Sequence, residues 1–271
     1  MQARGAAGRW PPSPGRRAPA PRAIAAEGRV VAYPGAEVQV GAERAGRLVR
    51  VLVEEGQAVR RGQLLAEIDS DELRAALAED RARVSEAEAE TRLAEANLAR
   101  RRRLADERIL AASDLDAASR DVETSRARAE TARAAVARDL ALLAKSRIAA
   151  PIAGTVTARR VDAGQMVEAG AHAFTVADLS RLRIEGEAHE ADAGAIVLEA
   201  PVTIEADGYP GRSWKGRVEE IPDSVTLRRL KPQDPSRPTD ARVLAVKVAF
   251  AEPLPLKLGT TVDLRIARAA R

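Results

Sequence analysis

Ala45-Gly46-Arg47-Leu48-Val49-Arg50-Val51-Leu52-Val53-Glu54-Glu55-Gly56-Gln57-Ala58-Val59-Arg60-Arg61-Gly62 returns, 108 residues on, as Ala153-Gly154-Thr155-Val156-Thr157-Ala158-Arg159-Arg160-Val161-Asp162-Ala163-Gly164-Gln165-Met166-Val167-Glu168-Ala169-Gly170. Gly46, Leu48, Val53, Gly56, Gln57, Val59 and Gly62 align without a gap on Gly154, Val156, Val161, Gly164, Gln165, Val167 and Gly170. Each copy reads as short strands joined by glycine turns, because glycine reaches positive φ at little cost. Each is too short to bury a core alone, so the two halves are expected to fold against each other. The chain between them must leave that β-domain and return to it.

What lies between has a helical period. Ser70 or Asp69 is placed to cap a helix, with Asp71 and Glu72 in its first turn. From 71 to about 105 there is no Gly or Pro, and good helix formers dominate. Leu77, Val84, Thr91 and Leu98 recur every seven residues, with Leu73, Ala87 and Ala94 at the alternate seam position. Leu115, Val122, Ala129, Val136 and Leu143, flanked by Ala118, Ser125 and Ala132, repeat the pattern over about 112–146. Two narrow seams joined by a short loop predict an antiparallel coiled-coil hairpin, each arm about 50 Å long. A helix packed on a globular core would carry a wider apolar stripe.

Downstream, alternation at Leu182–Ile184, Val202–Ile204, Trp214–Val218, Val243–Val248 and Val262–Ile266 predicts a small β-barrel. Residues 223–241, with three prolines, read as a long exposed loop within it. Upstream, 1–22 hold five arginines, five prolines and no apolar run of signal-peptide length. Two readings stand for that segment: a disordered basic tail, or a chain whose export signal or anchor is not part of this sequence.

Composition removes several function classes. Aromatic residues make up 2% of the 271, too few for base-stacking platforms. The net charge of +4 comes from 44 basic and 40 acidic residues, interspersed rather than gathered into an unopposed basic stripe, so no nucleic-acid partner is expected. With no cysteine there are no disulfides, thiol nucleophiles or thiolate metal ligands. His172 and His189 are the only histidines. His189, Glu190 and Asp192 form a weak metal-ligand pattern that reads better as exposed polar residues at a barrel rim.

Taken together, these residues resemble the HlyD-like membrane fusion, or periplasmic adaptor, proteins of bacterial efflux and type I secretion systems. The likeness is carried by Ala45–Leu48 and Val53–Leu65, ending at Ile68-Asp69, and by Ile148–Val156 and Gly164–Val167. The implied fold is mixed α and β and elongated: a split lipoyl-like (barrel-sandwich hybrid) domain, an inserted antiparallel coiled-coil α-hairpin, then a small β-barrel. The implied division is a disordered basic tail at 1–22, lead-in strands serving the barrel at 23–43, the split domain at 44–69 and 147–178, the hairpin at 70–146, and the barrel at 179–271.

The resemblance also implies a function. The protein would be periplasmic and associated with the inner membrane. It would form a homo-oligomeric ring linking an inner-membrane transporter, ABC-type by the likeness of Glu187–Asp192, Asp207–Gly216 and Asp240–Val248, to a TolC-like outer-membrane channel. A tip pattern for channel docking falls on Arg103, Leu104, Leu110, Ala111 and Leu115; the family's usual serine at the fourth place is Ala111 here, with Ser113 two residues on. No catalytic residue, metal or cofactor is implied. A lipoyl or biotinyl carrier subunit shares the repeated half-motif, but its acylated lysine would sit at Glu72, and no lysine precedes Lys145. A coiled-coil scaffold without a transport role is the other alternative.

Overall fold

The computed structural model describes residues 23–230, 241–252 and 255–269. The tail expected at 1–22, and positions 231–240 of the proline-rich loop, lie outside the described residues. In chain order the first strands are β1 (Ile24–Ala32), β2 (Glu37–Gly41), β3 (Gly46–Val51), β4 (Ala58–Val59) and β5 (Leu64–Ile68). Helices α1 (Asp71–Asp106) and α2 (Ala112–Ala144) follow, then β6 (Arg147–Ala149), β7 (Gly154–Arg159), β8 (Met166–Val167) and β9 (His172–Ala177). The rest is β10 (Leu182–His189), a 3-10 turn at Glu190–Ala195, β11 (Pro201–Glu205), β12 (Ser213–Glu220), β13 (Val225–Leu227), β14 (Arg242–Phe250) and β15 (Thr261–Ile266). Two compact units result: one spans Pro34–Leu179, and the other joins the segment ending at Tyr33 to the chain from Ser180 on.

The first unit holds a sandwich of two four-stranded sheets, ordered β2-β9-β7-β4 and β6-β5-β3-β8. Its pairing is unchanged when the two halves are exchanged. Gly46 pairs with Val167, and Gly154 with Val59; Val40 pairs with Phe174, and Ile148 with Ala66. The turn hydrogen bonds repeat at the same 108-residue offset. Gly56 N–H donates to Val156 O at 2.8 Å, and Gly164 N–H to Leu48 O at 2.7 Å. In both turns a glutamine folds back: Gln57 Oε1 accepts from Glu54 N–H, and Gln165 Oε1 from Asp162 N–H. Gly56 (φ +83°) and Gly164 (φ +87°) give these turns the left-handed residue they need. The core is common property, with Leu48, Leu65 and Ile68 of one half packed with Val156, Phe174 and Val176 of the other.

One expectation is corrected here. The 23–43 segment does not serve the barrel as a whole: β1 does, but β2 is the sandwich's counterpart of β6 and pairs with β9. A strand that repeats the role of β6 has to sit where β6's symmetry mate belongs.

α1 and α2 form an antiparallel pair whose half-buried and buried positions step by threes and fours. Leu77, Ala87 and Leu98 on α1 and Ala118, Val122, Ser125 and Ala129 on α2 are buried along the seam, Leu98 packing with Ala118 and Val122. Two seam positions carry aspartate, which a search for apolar periodicity passes over: Asp80 and Asp139 are 5% and 2% exposed. Arg138 Nη2 bridges them, at 3.3 Å from Asp80 Oδ2 and 2.8 Å from Asp139 Oδ1. Farther along, Glu88–Arg133 (2.7 Å) and Glu95–Arg126 (2.6 Å) cross the outside of the seam. At the root, Asp69 Oδ1 accepts from Asp71 N–H at 3.3 Å, while the N-cap residue Ser70 makes no side-chain cap. Glu67 on β5 is held by Arg50 of β3 and, at 2.8 Å, by Arg74 of α1.

In the second unit, β10-β1-β15-β11-β12-β14 close into a six-stranded antiparallel barrel through the β10–β14 pairing. Ile184, Ile204, Val218, Val246, Val248, Leu264 and Ile266 fill it. The loop expected over 223–241 is shorter than its sequence suggests, because β13 pairs with Arg242–Leu244 of β14.

Two outcomes test the sandwich. A Cβ on Gly154 would lie 2.4 Å from Ala177 O, which is backbone and has nowhere to go. Gly154→Ala is therefore expected to lower stability by about 1–3 kcal/mol in urea unfolding. Glu67 titrates below the ordinary carboxylate range, chiefly through its hydrogen bond from Arg50, with Arg74 adding to the effect and burial opposing it. A carboxylate lowered by folding adds stability above its unfolded pKa near 4.5 and loses it as pH falls through the folded value. Unfolding titrations from neutral pH to below 4 should show that loss, and Glu67→Gln should flatten it.

Candidate docking site at the hairpin tip

The distal end of the hairpin is built by the way α1 stops. Arg108 N–H donates to Ala105 O and Ile109 N–H to Leu104 O, both at 2.9 Å, the paired bonds of a Schellman turn. Arg108 takes the left-handed position at φ +60°. The chain then reaches α2 through Leu110 and Ala111, and Arg101 ties the two helices by donating to Asp114 O at 3.0 Å.

The five residues of the tip pattern all lie at this end, in different settings. Arg103, in the last turn of α1, is exposed, and its Nε reaches Ala99 O at 3.5 Å. Leu104 is 40% exposed. Leu110 is half-buried in the turn. Ala111 is the N-cap residue of α2 and supplies no side-chain acceptor. Leu115 packs with Leu98, Ala118 and Val122, so it closes the seam rather than standing free. Among the described residues none of Arg100, Arg101, Arg102, Arg103 or Arg108 makes an ion pair; the cross-helix pair nearest the tip is Glu95–Arg126. Sequence reasoning passed over Ile109, which is 70% exposed, because an arginine where glycine usually marks a helix stop hides the turn.

Elsewhere the arrangement offers little chemistry. The shallow groove of about 640 Å³ along the hairpin is walled by the Glu88–Arg133 and Glu95–Arg126 pairs, already matched to each other. His189 Nδ1 accepts from Ala191 N–H at 3.2 Å and so caps the 3-10 turn. No group of three metal-ligating side chains occurs among the described residues. Asp71 and Glu72, where a carrier lysine would fall, start α1. Among the described residues no helix is long and apolar enough to cross a membrane.

The N-cap position gives one structural reason for a serine at this place in the pattern. A hydroxyl at 111 would accept from the N–H of Ser113, the kind of group a helix start leaves without an intrahelical partner, or share that of Asp114, which already donates to Ala111 O at 3.1 Å. Ala111→Ser is expected to stabilise the start of α2 by about 1 kcal/mol. Slower amide exchange over 112–115, with the rest of α2 unchanged, is the readout.

Comparison with known proteins places this architecture. A profile of the RND MFP barrel-sandwich hybrid domain matches residues 36–179. The chain is 31% identical over 202 residues to the macrolide export protein MacA of Yersinia pestis, covering 68% of this chain and 54% of that protein. It is 30% identical over 252 residues to the nickel and cobalt resistance protein CnrB of Cupriavidus metallidurans, covering 91% and 58%. It thus spans little more than half the length of these relatives. Among solved structures, the membrane fusion protein Spr0693 from Streptococcus pneumoniae R6 shares the fold, with a TM-score of 0.68 at 19% identity over 91% of this chain and 100% of that one. With the profile running through both sandwich halves and the hairpin between them, the chain belongs to the membrane fusion protein family of periplasmic adaptors.

Proposed function

We propose that this protein is the periplasmic, inner-membrane-associated adaptor of an export assembly and performs no catalysis itself. Its barrel side engages an inner-membrane transporter, ABC-type by the character of β10, β12 and β14. Its hairpin tip docks on a TolC-like outer-membrane channel, and copies of the chain form a ring. The observation that carries this reading is a tip displaying unpaired arginines beside exposed Leu104, held at the end of a hairpin whose own seam is complete. Such a surface gains from a partner and has no use within the chain. The family supports the adaptor role. Relatives of nearly equal identity are named for macrolides and for nickel and cobalt, so the proposal names no cargo.

The domains proposed for these tasks are the split sandwich as the ring-forming body, the hairpin as the spacer, and the barrel as the transporter-facing module. Because Leu115 belongs to the seam, a docking test should spare it. A deletion strain screened against macrolides and divalent metals should lose resistance to some compound, and the wild-type gene should restore it. Arg103→Asp with Leu104→Ser is expected to fail in that complementation and to weaken capture of the purified channel. Its circular dichroism and melting should stay at wild-type values. Full complementation by the double variant would remove the docking role.

A further inference from the structure

We infer that Arg108 and Ile109 are the leading contact of the docking tip, suited to a partner protein with an apolar notch rimmed by carboxylates. This rests on the adaptor reading above and adds two residues that lie outside the family's tip pattern. The left-handed backbone at Arg108 sets an L side chain against its own carbonyl, and glycine would serve the turn better. Both bonds that close the turn are made by main-chain groups, so neither needs the Arg108 side chain. An arginine kept at a strained position that glycine would relieve is placed there for what its side chain does outside the turn.

Ile109 follows the same logic. The residue after the left-handed position commonly packs on the one five before it, which would cover both. Here Leu104 and Ile109 remain 40% and 70% exposed, an aliphatic pair set within the arginine-rich end of the hairpin, whereas the other exposed leucines, Leu93, Leu140 and Leu142, lie elsewhere along the helices. Charge selects the partner. Residues 100–111 carry five arginines against Asp106 and Glu107, a net +3. A second copy of the same tip would repel this one, whereas carboxylates can take the guanidinium fork of Arg108 while an adjoining notch desolvates Ile109.

The test uses the full 271-residue chain and, as probe, the purified outer-membrane channel in detergent. Arg108→Gly and Ile109→Ser are each expected to weaken channel binding tenfold or more. Circular dichroism should be unchanged, and Arg108→Gly should melt at or above the wild-type temperature, a split that a structural role for Arg108 would reverse. Leu93→Ser, altering a 61% exposed residue away from the tip, should bind within twofold of wild type. Since the chain has no cysteine, Ile109→Cys carrying a thiol-directed cross-linker should join the channel, and Leu93→Cys should not. Binding within twofold for both tip variants, while Arg103→Asp/Leu104→Ser loses it, would overturn this inference and leave the docking reading standing. Undiminished binding by all three variants would remove both. Wild-type chain that binds anionic phospholipid vesicles and not the channel would also overturn it, reassigning the tip to a lipid surface.

Discussion

Neither half of the sandwich can complete a core without the other, and that shared burial governs the rest. Leu48, Leu65, Val156 and Phe174 are fully covered only because strands of the two halves interleave, each sheet taking members from both. Whatever the chain does between residues 69 and 147, it must bring its ends back to adjacent strands. β5 runs into α1, α2 runs into β6, and β5 and β6 pair antiparallel, with Ile68 N–H donating to Ser146 O at 2.8 Å. The hairpin is thus a two-stranded ladder continued as two helices. Arg44 fastens both roots by donating to Asp69 O and to Ser146 Oγ.

With the roots fixed, the seam has to hold register along more than thirty residues per helix. Small seam residues such as Ala87, Ala118 and Ala129 pack closely but are nearly interchangeable after a slip of one heptad. The aspartate layer is not. Slipping the helices would part Asp80 on α1 from Arg138 on α2 and take that cross-helix partner from a buried carboxylate, a larger penalty than losing a few alanine contacts. The ionic layer therefore contributes more to uniqueness than to net stability, and it keeps the Schellman turn at one defined place.

What the sequence disclosed follows from how each feature is encoded. The 108-residue repeat is visible because turns at φ > 0 demand glycine, and because Gln57 and Gln165 each fold onto their own turn. The barrel strands alternate plainly, since one face is buried. The aspartate layer was invisible because periodicity arguments count apolar side chains. β2 was misassigned because nothing local tells a barrel strand from a sandwich strand; its partner β9 lies some 130 residues away. At the tip, the pattern residues could be located, but the separate fates of Ala111 as a cap and Leu115 as seam depend on where α2 begins. Ile109 stayed hidden because Arg108 occupies the position where glycine would have announced the turn.

The repeat also accounts for how one small β-domain carries two appendages. Under exchange of halves, the ladder β5–β6 becomes the ladder β9–β2. The first runs on into the hairpin. The second runs on into the barrel, through β1 on one strand and β10 on the other. Duplicating a half-motif that cannot stand alone yields two equivalent two-stranded exits, and each exit delivers and recovers the chain at neighbouring points. At the first exit the insertion costs little more than loop closure, which grows slowly with length; at the second the two strands lead into the N-terminal and C-terminal segments, which β1 and β10 pair together. The loop closed by an antiparallel coiled coil is longer still in sequence, but its ends never separate. The same burial constraint that makes each half dependent on the other is therefore what lets the sandwich hold two modules of unrelated architecture, and an adaptor needs two.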